Sequence, residues 1–135
     1  MKKNSKINLN TKEFIGKKIV SLEGFEEDSD EMIIRFKNGS TIRLYHCQDC
    51  CEDVRVTQVD GLVDRHVGAK FQNLVEKVYY NDDIPGINGS YDSITATFYT
   101  LETSKGRLDF RWTGESNGYY SEDVDMAINN TKKEA

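Results

Sequence analysis

Hydrophobic and polar residues alternate along much of the chain, with the period of two that is typical of β-strands. The clearest example is segment 32–45, where two alternating runs flank an Asn-Gly pair. This pattern predicts a β-hairpin. A two-residue loop at 38–39 would set apolar residues opposite polar ones. A three-residue loop at 37–39 sets Ile34 opposite Ile42 and keeps one face apolar, so we expect the longer loop.

Similar patterns predict the other elements. A second hairpin is expected from 94–112, with its turn at 103–106, and further strands at 19–25 and 52–59. Segment 71–80 has apolar residues at helical spacing, but its Val and Tyr content favours a strand. Residues 62–67 predict a short helix before a glycine. The predicted fold class is therefore α+β, mainly antiparallel β, in a single compact domain with β-hairpins and one or two short helices.

The predicted domain covers 11–128, and the polar ends 1–10 and 129–135 are expected to be flexible. Segment 81–90 contains the one proline, Pro85, and has the composition of a mobile loop. With 135 residues, the chain is long enough for one domain with a core of its own.

Charge limits the choice of partners. A net charge of -5 and a pI near 5.1 argue against a general affinity for nucleic acid, since such binding depends on Lys and Arg. An acidic protein is instead attracted to basic surfaces. One acidic run is therefore a candidate partner-binding surface that could occupy a groove built for nucleic acid, although a solvated loop is the simpler interpretation. Its residues are Glu26, Glu27, Asp28, Asp30 and Glu31.

The N-terminus is basic, but no apolar stretch follows it, and no segment has enough consecutive apolar residues to span a bilayer. We therefore expect a protein that stays in the cytoplasm of the cell that makes it. Three cysteines within five positions do not form an ordinary disulfide framework.

Those cysteines follow the first predicted hairpin, in a CxxC motif preceded by a histidine. Thiolates and an imidazole at this spacing favour a tetrahedral zinc ion, so zinc is the predicted cofactor. The predicted ligands are His46, Cys47, Cys50 and Cys51. Other candidates for the fourth position are Asp49, Glu52, the distant His66, or water. Three other interpretations remain open: a redox pair, burial of the cysteines as core residues, and a capping box formed by Asp49 and Glu52.

No Ser-His-Asp or Cys-His arrangement can be assembled, and no phosphate-binding glycine loop is present, so the sequence predicts a binding protein rather than an enzyme. A second distinctive segment, 111–122, combines turn residues with Trp112, Tyr119 and Tyr120. Its aromatic residues are candidates for a binding surface or for the core.

The chain contains two dense motifs, His46-x-Gln48-Asp49-Cys50-Cys51-Glu52 and Arg111-Trp112-x-Gly114-Glu115-Ser116-Asn117-Gly118-Tyr119-Tyr120-Ser121-Glu122. Together with 97–106 between them, these motifs resemble a small domain family of phages and prophages without an established function. The resemblance covers about 33–124. In that family the position of Cys47 is not cysteine. This difference weakens the CxxC interpretation and favours His46, Cys50 and Cys51 as the metal ligands.

The chain is also similar to the zinc-containing anti-CRISPR proteins of phages. This resemblance implies a monomer or small oligomer in the host cytoplasm. It further implies binding to the recognition lobe of a type II CRISPR effector nuclease and a block of target-DNA loading, without direct contact to nucleic acid. Two alternatives are a metal-dependent phage hydrolase with Glu52 or Glu115 as general base, and a nucleotide-sequestering anti-defence protein that stacks a base on its aromatic residues.

Overall fold

The computed structural model describes residues 5–8, 11–81, 93–117 and 120–129. Within them, 59% of residues lie in strands. In chain order the elements are β1 (Ser5–Asn8), the 3-10 turn η1 (Lys12–Phe14), β2 (Ile19–Glu23), β3 (Glu31–Phe36), β4 (Thr41–Tyr45), β5 (Asp53–Asp60), the 3-10 turn η2 (Val63–His66), β6 (Phe71–Tyr80), β7 (Ser93–Thr103), β8 (Gly106–Ser116) and β9 (Asp125–Asn129).

The strands form two antiparallel sheets. One sheet has the order β1-β6-β7-β8-β5, and the other has the order β2-β3-β4-β9. Apolar side chains from both sheets share one buried cluster, with Met32 and Leu44 from the smaller sheet and Leu101 and Trp112 from the larger. The alternation seen in the sequence therefore places one face of each sheet against the other.

The predicted α+β class is wrong, because the described residues form an all-β domain whose helical structure is limited to two 3-10 turns. Segment 62–67, the expected short helix, forms only the single turn η2. Gly61 and Gly68 bound this segment with φ angles of 124° and 92°, outside the helical region. The residues between these two glycines are too few to offset the free-energy cost of nucleating an α-helix.

Both predicted hairpins are confirmed. In the first, Ile34 lies opposite Ile42, as the three-residue loop requires. Gly39 adopts a φ of 94°, and its N–H donates to the carbonyl oxygen of Phe36 over 2.9 Å. In the second hairpin, β7 and β8 pair along their full lengths around a two-residue turn at 104–105. Strand 71–80 is also confirmed.

The two ends of the molecule differ in the segments that they carry. The hairpin turns 37–40 and 103–106 lie at one end, here called the turn end. The opposite end, called the loop end, carries loops 24–30 and 46–52 and the segment that enters β9. Backbone hydrogen bonds join the two sheets at both ends, for example from Ile19 N to Ala69 O and from Asp28 N to Val56 O, each over 2.8 Å.

Several sequence predictions fall on positions outside the described residues, including most of segment 81–90 and of the two ends. Within the N-terminal stretch, Ser5–Asn8 forms β1 and pairs with β6. No helix in the described part of the chain is long and apolar enough to cross a membrane.

Candidate functional site

Loop 46–52 connects β4 to β5 at the loop end and folds around one carboxylate. The Glu52 carboxylate accepts hydrogen bonds from the backbone N–H of Asp49 over 2.7 Å and of Cys50 over 2.9 Å. The side-chain amide of Gln48 donates to the carbonyl oxygens of Cys50 and Glu52 over 3.2 and 2.7 Å. The first sequence motif therefore closes the loop on itself. The bond from the Asp49 backbone N–H to the Glu52 carboxylate is one of the two bonds of a capping box, although no helix follows it.

His46 attaches this loop to the segment before β9. Its Nδ1 lies 2.7 Å from the carbonyl oxygen of Asp123, and its Nε2 lies 2.7 Å from the Glu52 carboxylate. The His46 and Glu52 side chains are 3% and 0% exposed. A carbonyl oxygen and an ionised carboxylate can only accept hydrogen bonds, so both ring nitrogens must donate. This geometry holds His46 as an imidazolium cation.

The pKa values agree with this assignment. Burial alone would raise the pKa of Glu52, but the hydrogen bonds from His46, Cys50 and Asp49 outweigh it and lower the pKa to about 2. Burial likewise lowers the pKa of His46, but the hydrogen bonds to Glu52 and Asp123 outweigh that effect and raise the pKa above its ordinary value. Both shifts therefore favour the charged forms of the pair.

The four predicted zinc ligands lie in or beside this loop but do not converge. The Cys47 thiol is free and exposed, whereas the sulfurs of Cys50 and Cys51 are bonded to each other. Among the described residues, no group of three or more potential ligands could hold a metal ion. Zinc binding stays a prediction, and it requires two changes: reduced cysteines and a His46 nitrogen released from its present hydrogen bond.

The distant histidine, one of several candidates for the fourth position, lies elsewhere. His66 is buried near the turn end, and its Nδ1 lies 2.7 Å from the Thr103 hydroxyl. Burial and the neighbouring Arg65 lower the pKa of His66. His66 is therefore a buried structural residue, hydrogen bonded to Thr103, and it does not reach loop 46–52.

The described part of the second motif, 111–117 and 120–122, forms the end of β8 and part of the segment before β9. Trp112 is fully buried, which confirms the core interpretation for this residue. Its indole Nε1–H has no hydrogen-bond partner among the described residues. Tyr120 is half-buried, and Tyr119 lies outside the described residues. Because Trp112 has no exposed face, it cannot stack on a nucleotide base in this structure.

Glu122 is a buried carboxylate that sequence reasoning did not single out. It is 6% exposed and accepts hydrogen bonds from the Thr95 hydroxyl over 2.7 Å and from the Ser116 hydroxyl. It packs directly against Gly114, where an added Cβ would lie 2.8 Å from the Glu122 Cβ and 2.9 Å from its carbonyl oxygen. A glycine is therefore needed at position 114 so that Glu122 can pack closely against β8. The next residue is Asp123, which bonds to His46, so the two motifs meet at the loop end.

The predicted partner-binding acids also lie at the loop end. Four of them, Glu26, Glu27, Asp28 and Asp30, are in loop 24–30, where all four are exposed. Glu31 is half-buried at the start of β3, and its carboxylate accepts from Arg43. Arg55 on β5 donates to both Asp28 and Asp53, and Asp53 directly follows loop 46–52. The acidic run and the first motif therefore border one continuous surface.

The chemistry of the site does not favour catalysis by Glu52. A general base works best when its pKa lies near the operating pH, whereas the pKa of Glu52 is about 2 and its oxygens are already hydrogen bonded. A groove of about 170 Å³ lies between side chains of β5, β7 and β8, and no residue of loop 46–52 lines it. The contacts of His46 with Glu52 and Asp123 are instead suited to fixing loop 46–52 against the segment before β9.

Comparison with known proteins adds the family. No curated protein and no solved structure matches the chain. Residues 12–126 match the family described as a domain of unknown function, DUF7448, and this range includes loop 46–52 and the whole second motif. The chain therefore belongs to the DUF7448 family.

Proposed function

We propose that this protein is a non-enzymatic binding module whose loop end docks on a basic surface of a larger partner. One observation carries the proposal: carboxylates from separate parts of the chain are collected at this end. They come from loop 24–30 and the start of β3, from loop 46–52, from the paired ends of β5 and β8, and from the segment entering β9 with the first residue of that strand. They are Glu26, Glu27, Asp28, Asp30, Glu31, Asp49, Asp53, Glu115, Asp123 and Asp125.

Few cations offset these charges. Within the described part of the chain, Arg43 pairs with Glu31, and Arg55 is shared between Asp28 and Asp53. Exposed pairs of this kind are weak and leave most of the surrounding negative potential in place. Such a surface attracts a basic partner and speeds the encounter at low salt.

The loops that carry the acids are already ordered. Loop 24–30 is fixed by backbone bonds of Asp28 and Ser29 to Val56, and by the buried Phe25, whose ring packs edge-to-face on Phe110. Loop 46–52 is closed by the hydrogen bonds to the Glu52 carboxylate. A surface that is ordered before binding loses less conformational entropy when the complex forms.

For the partner, we propose a type II CRISPR effector nuclease of the bacterial host. The support is the resemblance of the two motifs to small phage domains, the similarity of a small, acidic, zinc-binding phage protein to the zinc-containing anti-CRISPR proteins, and charge complementarity. A nuclease channel that holds nucleic acid is positively charged. An acidic end that occupies it would compete with target DNA for the same lysines and arginines, which would block DNA loading.

The alternative functions have less support. A hydrolase that uses Glu52 as its base would work with a carboxylate whose pKa is about 2. A nucleotide-sequestering protein that stacks a base on Trp112 would need this buried side chain to become exposed. Neither role matches the described positions of these residues.

The test is binding to the guide-loaded nuclease, measured by surface-immobilised kinetics over a range of salt concentrations. The double variant Glu26→Gln/Glu27→Gln removes two charges from the loop end. The double variant Asp64→Asn/Glu102→Gln removes the same charge near the turn end and serves as the matched control. We expect the first variant to associate more slowly and with a shallower salt dependence, and the control to behave like the wild type.

Two results would refute the proposal. One is the absence of any complex at low salt. The other is an equal loss of association rate in both double variants, because that loss would reflect overall charge rather than the loop end. A parallel electrophoretic assay of target-DNA loading checks the inhibitory part of the proposal.

A further inference from the structure

A row of lysines crosses the turn end where the two sheets meet. Lys18, just before β2, forms an antiparallel bridge with Lys70, just before β6. On one side, Lys37 donates its backbone N–H to Lys18 O over 2.9 Å. On the other side, Ser104 donates its N–H to Lys70 O over 2.9 Å, and Lys105 follows it in the turn. Four neighbouring backbone segments thus bring these residues side by side.

The lysine side chains project to solvent. Lys18, Lys37, Lys70 and Lys105 are all exposed. The residues that follow Lys18 and Lys70, Ile19 and Phe71, are fully buried. Since side chains alternate along an extended backbone, the two lysines point away from the core, and as directly opposed residues they share one face.

This arrangement is unfavourable for the isolated protein. Like charges placed directly opposite each other on paired strands destabilise the pairing. Among the described residues, every ion pair uses an arginine or a histidine as its cation, and none uses one of these lysines. The row therefore carries positive charge that no described carboxylate neutralises.

We infer that this lysine row, formed by Lys18, Lys37, Lys70 and Lys105, binds the phosphate backbone of a nucleic acid. Adjacent strands lie about 4.8 Å apart, so a row across four segments spans roughly 14 Å. That length covers several successive phosphates of one strand, which are about 3.4 Å apart along the helix axis. The exposed Ser104 lies beside the row and can donate hydrogen bonds to phosphate oxygens.

The inference goes beyond the proposed function and uses the opposite end of the molecule. A net charge of -5 argued against a general affinity for nucleic acid, but that figure is a sum over the whole chain. Binding depends on the local density of lysines, and the fold separates them from the acids of the loop end. The contact is expected to be independent of base sequence, because lysines at phosphates read no base edges.

The experiment measures binding to a fluorescein-labelled duplex DNA by anisotropy over a range of salt concentrations. Logarithmic affinity should fall linearly with the logarithm of salt concentration, with a slope of about -0.9 for each phosphate neutralised. Lys70→Gln should make the slope shallower by about one, and Lys18→Gln/Lys70→Gln by about two. The matched control is Lys77→Gln, an exposed lysine on β6 away from the row, which should leave the slope unchanged.

A stability measurement separates lost binding from lost folding. Because removing one of two opposed charges relieves repulsion, Lys18→Gln and Lys70→Gln should melt at the wild-type temperature or above it while they lose affinity. Binding that is absent at the lowest salt, or an equal loss in Lys77→Gln, overturns the inference.

A final arm uses vesicles of phosphatidylcholine and phosphatidylserine. Val20, two residues after Lys18 in the chain, is 44% exposed, so an anionic membrane is the competing partner. Lysine-dependent binding to these vesicles without binding to DNA would reject the nucleic acid. Binding to DNA that vesicles do not reproduce supports it.

Discussion

Gly114 offers a sensitive test of how the two motifs fit together. It lies within β8 and has no left-handed φ. At a strand position without steric hindrance, Gly→Ala stabilises a protein by about 0.4–1 kcal/mol, because the unfolded chain loses freedom. Here the added Cβ would lie 2.8 Å from the Glu122 Cβ, 2.9 Å from Glu122 O and 3.1 Å from a Val54 methyl carbon. We therefore expect Gly114→Ala to destabilise the fold.

The size of the effect depends on which atoms must move. Overpacking of this kind typically costs about 1–3 kcal/mol. If Glu122 is displaced far enough to lose its hydrogen bond from Thr95 or from Ser116, each lost bond to the carboxylate adds roughly 1.5–3 kcal/mol. Since a backbone oxygen is among the close atoms, rotation of the Glu122 side chain alone cannot relieve the contact.

Urea unfolding monitored by tryptophan fluorescence measures the change. With a slope of about 1.5 kcal/mol per molar urea, a loss of about 2 kcal/mol lowers the midpoint by roughly 1.3 M. Glu122→Ala and the double variant complete a cycle: if Gly114→Ala acts by displacing Glu122, its effect is smaller when the carboxylate is already absent. A midpoint for Gly114→Ala equal to or above that of the wild type would show that segment 121–123 does not approach β8 so closely.

Three further predictions concern the two histidines and the cysteine loop. Because the pKa of Glu52 is lowered and the pKa of His46 is raised, this ion pair makes its full contribution to the free energy of unfolding between about pH 4.5 and 6.5. The contribution is lost as the pH falls through about 2, where Glu52 gains a proton, or rises through the raised pKa of His46, where the imidazolium loses one. Urea midpoints at about pH 5.5 and 9 should differ more in the wild type than in His46→Gln, and equal differences would contradict the pairing. The zinc prediction is tested by the melting temperature of the purified protein measured with chelator and with added zinc, and a temperature that neither changes contradicts it. A zinc-dependent rise that Cys50→Ser abolishes would instead support the zinc prediction and a rearranged loop. Thr103→Val should destabilise the fold by about 1–3 kcal/mol, because it leaves the buried Nδ1 of His66 without a partner; a midpoint within error of the wild type would show that this hydrogen bond is dispensable.

The elements that could be predicted are those encoded by neighbouring residues. The loop at 37–39 could be deduced from the need to keep Ile34 and Ile42 on one face, and both residues belong to the same short segment. The expected helix at 62–67 failed because its composition is compatible with a helix, whereas its length between two glycines permits only one 3-10 turn.

The site shows a similar division. The sequence identified 46–52 as distinctive, but it treated Glu52 only as a possible ligand, base or capping residue. The structure makes this carboxylate the centre of the loop. The second partner of His46 is a backbone carbonyl 77 positions away, at Asp123. No local pattern indicates such a partner, because any residue supplies a carbonyl oxygen.

By itself, the sequence determined the strand periodicity, both hairpins and the net negative charge, because these depend on residue type and short-range order. Only the tertiary structure decided where the charges lie. The antiparallel contact between residues 18 and 70 sets two distant lysines opposite each other at the turn end, while strand ends and loops bring the carboxylates to the loop end. The physical reason is that pairing of distant segments depends on how both sheets pack on their shared core, and no single segment contains that information.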